Sequence, residues 1–404
     1  MKDNIEYELP YLRIGVCYYK IIKQPLASKD QVKKIIPWNG PTITEDHGVN
    51  YKREIIKYDS FCNIPDNINY QRVVGNSYNM YEPIDHDIKP GQFEIILSFI
   101  RHIFGDQFTF GLDYLTIIWR NPTQILPILC LVSLARNTGK TTFLNFLKDI
   151  FGDNMTINTN EDFRNQFNSG WTSKLLIGVD EVLLDRKEDT ERLKYLSTTR
   201  SIKSESKGKD KIEQEFYGKF ILCANDESDF IKISPNETRY WIRKIPTIAN
   251  DNIELRLQMQ KEIPFFLHFL TNRKIETENK TRMWFTREQL YTDALHKVIN
   301  GVTTKLEKEI KNLIVDQLFI STLDFIHLTP KDLIWLLKTE NNVSVSSTDI
   351  TNIISEKWGY KPETKSKYYK KLKLSLTNDG NIDVSYVKGT GRYYTFEKNK
   401  FCEM

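Results

Sequence analysis

The sequence predicts an α/β protein whose parallel sheet ends in a phosphate-binding loop, and three stretches carry that reading. The apolar run Ile125–Ser133 is followed by Asn137-Thr138-Gly139-Lys140-Thr141-Thr142, which opens a helix with Phe143, Leu144, Phe146, Leu147, Ile150 and Phe151 on its apolar positions. A second aliphatic run, Lys174–Val179, closes on Asp180 and Glu181, and a third, Tyr217–Ala224, closes on Asn225. Strands that deliver polar residues at their C-terminal ends, separated by helical stretches, are the pattern of a parallel sheet with its site at the carboxyl edge.

The chain has 404 residues, enough for two or three domains, and a formal net charge of only +4, so nucleic-acid binding has to be argued from local patches. No apolar run approaches a membrane span and the N-terminus has no apolar signal segment, which predicts a cytoplasmic protein with no membrane partner. Its five cysteines form no C-x-x-C pair and its six histidines are dispersed, so neither a zinc site nor a disulfide framework is expected.

Taken in order, residues 1–90 hold β-like runs such as Tyr11–Tyr19 between turn signals at Asn39-Gly40-Pro41 and Pro65-Asp66-Asn67, a small mixed or β-rich region. Asp85-His86-Asp87 has the outline of a metal-binding carboxylate pair, but Pro83, Pro90 and Gly91 frame it as a loop. Residues 93–104 and 112–119 show helical periodicity and lead into the first strand, either as a collar for neighbouring subunits or as cover for the core.

In the loop, residues Asn137 to Thr142 would cradle phosphates with backbone amides and the positive end of the helix. Lys140 would reach the β/γ-phosphates and Thr141 would bind Mg²⁺. Leu134 stands where the usual G-x-x-x-x-G-K-[ST] pattern has its first glycine, so the motif needs support from elsewhere. Asp180 and Glu181, forty residues beyond Lys140, have the placement of a Walker B element, although two acids after a strand also make an ordinary solvated turn. On the functional reading Asp180 holds Mg²⁺ directly or through water, and Glu181 is the general base. Asn225 is either a turn former or a residue orienting the lytic water. Arg239, at the start of a fifth strand, either pairs with Glu237 or neutralises charge on a transferring phosphoryl group, with Arg243 the weaker candidate.

In this order the motifs resemble superfamily 3 helicases, the compact AAA+ ring helicases of small viruses, phages and plasmids, and most of all the primase-helicases of phages and mobile elements. The resemblance covers about residues 91–300 and rests on Asn-Thr-Gly-Lys-Thr, Val-Asp-Glu-Val and Glu-Thr-Arg-Tyr-Trp. It implies an AAA+ P-loop NTPase core using ATP and Mg²⁺, Asn225 as sensor 1, Arg239 as arginine finger, and a homo-oligomeric ring, a hexamer. In this family the first loop glycine is often dispensed with. It also implies a β-hairpin between the Asp-Glu and Asn225 strands, for which Ser201–Glu213 is available, with Lys207, Lys209 and Lys211 gripping single-stranded DNA. Only about ninety residues precede the resemblance, without a convincing catalytic carboxylate set, so a separate primase or polymerase is an expected partner.

Beyond the sheet, residues 250–270 and 287–299 read as lid helices that complete a domain spanning 91–300. Residues 304–320, 330–337, 347–358 and 363–376 read as further helices and 381–396 as a hairpin. Helices followed by a hairpin resemble a winged helix occupying residues 301–404. Seven lysines against the single acid Glu363 lie between Lys357 and Lys373. Lys365, Lys367, Lys370 and Lys371 would then sit on a helix against a DNA groove, with Lys388 and Arg392 on the wing, unless the patch is a solubilising or protein-docking face. The function expected from the sequence is an ATP-dependent DNA helicase translocating on single-stranded and forked DNA during replication of a phage, plasmid or other mobile element. The rivals are an ATP-switched initiator without processive unwinding and an ATPase sensor or scaffold.

Overall fold

The computed structural model describes residues 10–25, 31–164, 170–184, 186–204, 212–233, 237–249, 252–340, 343–376 and 382–402. At its centre are five strands, Ile128–Val132, Met155–Asn158, Leu176–Val179, Lys219–Ala224 and Tyr240–Lys244. All their pairings are parallel, and the spatial order, by position in the chain, is fifth, first, fourth, third, second. The first, third and fourth strands are wholly buried, which is why, apart from Lys219 at the start of the fourth, they are apolar runs with no polar alternation. Parallel pairing puts every C-terminal strand end on one edge. The residues after Val132, Val179 and Ala224 therefore meet there, with the fourth strand, and so Asn225, between the other two.

Helices cover this sheet because their apolar faces have nowhere else to go. The helix Lys140–Phe151 buries Phe143, Leu144, Phe146, Leu147, Ile150 and Phe151, each worth roughly 1.5–3 kcal/mol of transfer free energy. It lies close on the third strand, where a Cβ on Gly178 would stand 3.1 Å from Leu144. Glu94–Phe104 and Phe108–Arg120 pack with Leu255–Asn272 in the same core, and Trp241 of the fifth strand stacks on Phe104 at a centroid distance of 5.1 Å. The two helices ahead of the sheet are thus core elements of this chain.

Residues 10–90 are β-rich, as the turn signals predict. A four-stranded sheet runs in the order Gln31–Trp38, Cys17–Pro25, Tyr11–Ile14, Lys57–Tyr58, with Ile43 of the helix Gly40–His47 buried against Tyr11 and Ile55. The Asp85-His86-Asp87 stretch is a loop. The His86 ring lies 3.1 and 3.2 Å from the carbonyl oxygens of Asp149 and Ile150, at the C-terminal end of the Lys140–Phe151 helix, and Asp87 pairs with Lys89. Its role is packing and helix capping.

The chain divides into two compact units, Met1–Lys297 and Val298–Met404. Three sequence expectations fail in the second half. The stretches 287–299 and 304–320 are not separated at Gly301: a short helix, Arg287–Leu290, is followed by one continuous helix, Asp293–Ser321. One glycine costs a helix only about 1 kcal/mol, too little to break a run otherwise rich in helix formers. More consequentially, residues 363–376 are not a helix. Lys367–Leu376 is a strand paired antiparallel over ten residues with Ile382–Gly391. The alternation Lys371-Leu372-Lys373-Leu374-Ser375-Leu376 has period two, the strand period, and the lysine count obscures it. Nor does 381–396 fold on itself, since Tyr394–Glu397 pairs with Phe325–Leu328. The second unit therefore runs helix, strand Phe325–Leu328, helices Pro330–Glu340 and Ser347–Thr351 with its continuation Asn352–Lys357, then the long strand pair and Tyr394–Glu397.

Candidate functional site

The Gly-Lys-Thr loop joins the first strand to its helix through two left-handed residues, Asn137 at φ +53° and Gly139 at φ +85°. Gly139 is required twice over. Besides its φ, a Cβ there would stand 3.1 Å from Phe99 and 3.3 Å from Ile248. Neighbouring segments hold the loop through its carbonyls: Ile248 N–H donates to Asn137 O at 2.9 Å, and the His102 ring lies 3.0 Å from Thr138 O. Leu134 is not among the residues with positive φ, so the position needs no glycine. Instead its N–H donates to the Glu227 carboxylate at 3.3 Å.

Lys140, only 7% exposed, donates to Ser133 O at 3.3 Å and Thr138 Oγ1 at 3.2 Å, so its ammonium is folded back over the loop. Burial lowers its pKa, opposed by the nearby Cys223, Asp180 and Glu227. Thr142 sits in the first turn of the helix. The Thr141 hydroxyl donates to Asp180 Oδ2 at 2.8 Å, joining residues 39 apart in sequence across the sheet edge. Two cis ligands of an octahedral Mg²⁺ with ~2.05 Å bonds stand about 2.9 Å apart, so this oxygen pair fits the ion.

Glu181 takes φ +53°, an uncommon conformation for a non-glycine residue and one concentrated at functional sites. Its N–H donates to Asp180 Oδ1 at 3.1 Å. Asn160, which the sequence reading did not single out, clamps this turn by donating from Nδ2 to Glu181 O at 3.0 Å and accepting from Leu183 N–H at 3.1 Å. Asn225 is exposed at the end of the fourth strand, on the edge shared with the loop and the acids.

Glu227 was also missed, because an acid three residues past a strand looks like any solvated turn. It is 4% exposed and accepts from Lys297 at 2.6 Å and Lys244 at 3.1 Å besides Leu134. Burial alone would raise its carboxyl, but these hydrogen bonds and charges together hold it down to about 2. One carboxylate thus ties the Gly-Lys-Thr loop to the fifth strand and to the helix Asp293–Ser321.

The chain's fold, a mixed α/β architecture on a parallel five-stranded sheet, is shared with solved structures of the C-terminal region of NrS-1. An apo structure of residues 305–718 of that protein superposes with a TM-score of 0.55 at 13% identity, covering 94% of this chain and 96% of that one. An A-form apo structure of the same region gives 0.53 at 14% identity over 94% and 96%. Residues 131–243 match the model of a family of unknown function, DUF5906. No curated protein sequence matches the chain.

The remaining candidates are placed as follows. Arg239 precedes the fifth strand and so lies at the opposite edge of the sheet from the loop, its carbonyl accepting from Ile128 N–H at 2.8 Å. Its Nη1 donates to both oxygens of Glu237, at 2.7 and 3.0 Å, while its Nε has no partner among the described residues. Arg243 is buried and bound to Phe104 O and Asp106, both at 2.6 Å, and to Gln107 at 3.0 Å, which makes it a packing residue. Ser201–Ser204 and Ile212–Glu215 pair antiparallel between the third and fourth strands. Lys207, Lys209 and Lys211 lie outside the described residues.

Of the lysines expected on a groove-facing helix, Lys367, Lys370 and Lys371 sit on a strand and Lys365 in the bend before it. Lys371 is paired with Asp332 and Lys367 with Glu363 at 2.8 Å, while Arg392 donates to Glu363 O at 3.0 Å. Lys365, Lys370 and Lys388 are exposed, and none has a carboxylate partner among the described residues. No group of three or more His, Cys, Asp or Glu residues able to hold a metal ion occurs among the described residues, and none of their helices is long and apolar enough to cross a membrane.

Proposed function

We propose that the chain is an ATP-dependent DNA helicase of the superfamily 3 AAA+ type, moving along single-stranded DNA in replication of a phage, plasmid or other mobile element. The observation that carries this reading is the Thr141–Asp180 hydrogen bond, which draws the Gly-Lys-Thr loop and the Asp-Glu turn onto one sheet edge beside Asn225.

On this reading the loop amides and Lys140 bind the β- and γ-phosphates, Lys140 exchanging its contacts with Ser133 and Thr138 for phosphate oxygens. Thr141 and Asp180 hold Mg²⁺, which would neutralise charge on those oxygens. Glu181, aimed by its left-handed backbone and by Asn160, accepts the proton of the attacking water, and Asn225 orients that water. The fifth strand is five residues, ~17 Å, long, so Arg239 at its far end cannot serve the loop of its own chain. It serves a neighbouring copy in a ring, for which the hexamer is the expected closed form. The Ser201–Ser204 and Ile212–Glu215 pair supports a DNA-gripping hairpin carrying Lys207, Lys209 and Lys211 between its strands. Partners on this reading are forked DNA and a separate primase or polymerase. The winged-helix reading of the second unit is retained, with its lysines on the wing. Measuring ATP hydrolysis with and without single-stranded DNA tests the proposal. Stimulation by DNA and its loss in Lys140→Ala are expected, whereas hydrolysis that persists in Lys140→Ala would refute the assigned site.

A further inference from the structure

The strand pair Lys367–Leu376 and Ile382–Gly391 has two unlike faces. One is docked: Tyr369 donates to Asp332 at 2.5 Å, Lys371 pairs with the same carboxylate, and the Tyr369 ring lies where a Cβ on Gly389 would be, 2.6 Å away. The other face carries Tyr368, Lys370 and Leu372 opposite Thr390, Lys388 and Tyr386; at one end Tyr386 donates to Ser321 O at 2.9 Å and Leu372 is half-buried, while Tyr368, Lys370, Lys388 and Thr390 are exposed. On it Lys370 stands directly across from Lys388, in register. Like charges in directly opposed positions, with Cβ atoms about 5 Å apart, destabilise a strand pair. Folding gives no reason to place them there, and neither lysine has a carboxylate partner among the described residues. Lys388 instead rests its ammonium 3.7 Å from the centroid of the Tyr368 ring, and that ring is 68% exposed. By contrast the helical stretch Ser347–Lys357 carries one lysine, Lys357, and it is held by Glu307 at 3.0 Å.

We propose that the exposed end of that face of the strand pair binds a single strand of nucleic acid, with Lys370 and Lys388 on successive backbone phosphates and Tyr368 as a stacking platform for an unpaired base. A phosphate between the lysines turns their repulsion into shared attraction, and an exposed tyrosine beside them is the combination that sequence-tolerant single-strand sites use. The site rests on the nucleic-acid role proposed above but not on ATP turnover, and it lies in a different unit from the Gly-Lys-Thr loop.

The test is fluorescence anisotropy of a labelled oligothymidylate titrated with the full chain without nucleotide, across a salt series. Lys370→Glu converts the repelling pair into an attracting one, so the thermal midpoint is expected to hold or rise while affinity falls about tenfold. Lys370→Ala with Lys388→Ala should reduce the slope of log affinity against log salt by about 1.4, and Tyr368→Ala should weaken binding about tenfold without changing that slope. Basal ATP hydrolysis should be unchanged in all three. Wild-type affinity in Lys370→Glu, with loss on replacing Lys207, Lys209 and Lys211, would overturn this site and leave the helicase reading standing. A duplex that competes as well as the single strand would overturn the single-strand assignment, and no binding by the wild-type chain would overturn both nucleic-acid readings.

Discussion

Glu227 is where single-residue chemistry decides the shape of the loop. Its carboxylate gives Leu134 N–H a fixed partner, so the backbone at the place of the missing first glycine is held by a side chain from the turn after the adjacent fourth strand. Replacing Glu227 by Gln keeps an acceptor for Leu134 but loses both ion pairs. Because Lys297 and Lys244 are more than half exposed, the expected loss of stability is modest, about 1–2 kcal/mol. The distinguishing effect is on the loop. The KM for ATP should rise several-fold in Glu227→Ala, be partly restored in Glu227→Gln, and show a smaller change in kcat. Since the folded-state pKa is depressed to about 2, the stabilisation from this group is complete above its ordinary value of 4.5. It disappears as the pH falls towards 2, and an acid-unfolding series of wild type against Glu227→Gln reads that difference.

At the scale of elements, the fourth strand, Lys219–Ala224, begins with a buried lysine. Lys219 donates to Tyr217 O at 2.7 Å and to Pro122 O, and burial pushes its pKa down to about 7. The unfolded chain, with an ordinary lysine pKa near ~10.4, then binds more protons than the folded one between about pH 7 and 10. Stability attributable to Lys219 therefore rises with pH across that interval, and Lys219→Met should flatten the dependence of the thermal midpoint on pH. The elements that the sequence revealed most clearly were those with one environment throughout. Apart from Lys219, the wholly buried strands are apolar runs, and the Lys140–Phe151 helix has a single apolar stripe. Legibility failed where a side chain's partner lies far away in sequence. Gly389 resembles a turn residue, yet it is glycine because the Tyr369 ring of the opposing strand covers it. Lys367–Leu376 resembles a basic helix until its alternation is weighed against its charge. Asn160 and Glu227 left no sequence signal, because what marks them is the groups they bind and, for Glu227, its burial.

For the whole molecule, the order of the sheet strands bears on the proposed sharing of a site between two chains. The Gly-Lys-Thr loop, Asp180, Glu181 and Asn225 share one edge and Arg239 begins at the other, so under the proposed function a chain alone would lack the arginine its site uses. Mixing Lys140→Ala chains with Arg239→Ala chains, each inactive alone, should therefore recover a fraction of wild-type ATP hydrolysis, because some interfaces combine an intact loop with an intact arginine. No recovery, or an active Arg239→Ala, would return Arg239 to the structural role its Glu237 pairing suggests. Strand displacement on forked DNA with ATP is the most direct test of the central claim, run on wild type and Glu181→Gln side by side. The account predicts unwinding by the wild-type chain and at least a hundredfold loss in Glu181→Gln with ATP binding retained, the scale expected for removing a general base. Unwinding that survives Glu181→Gln, or a wild-type chain that hydrolyses ATP without separating the strands, would contradict it.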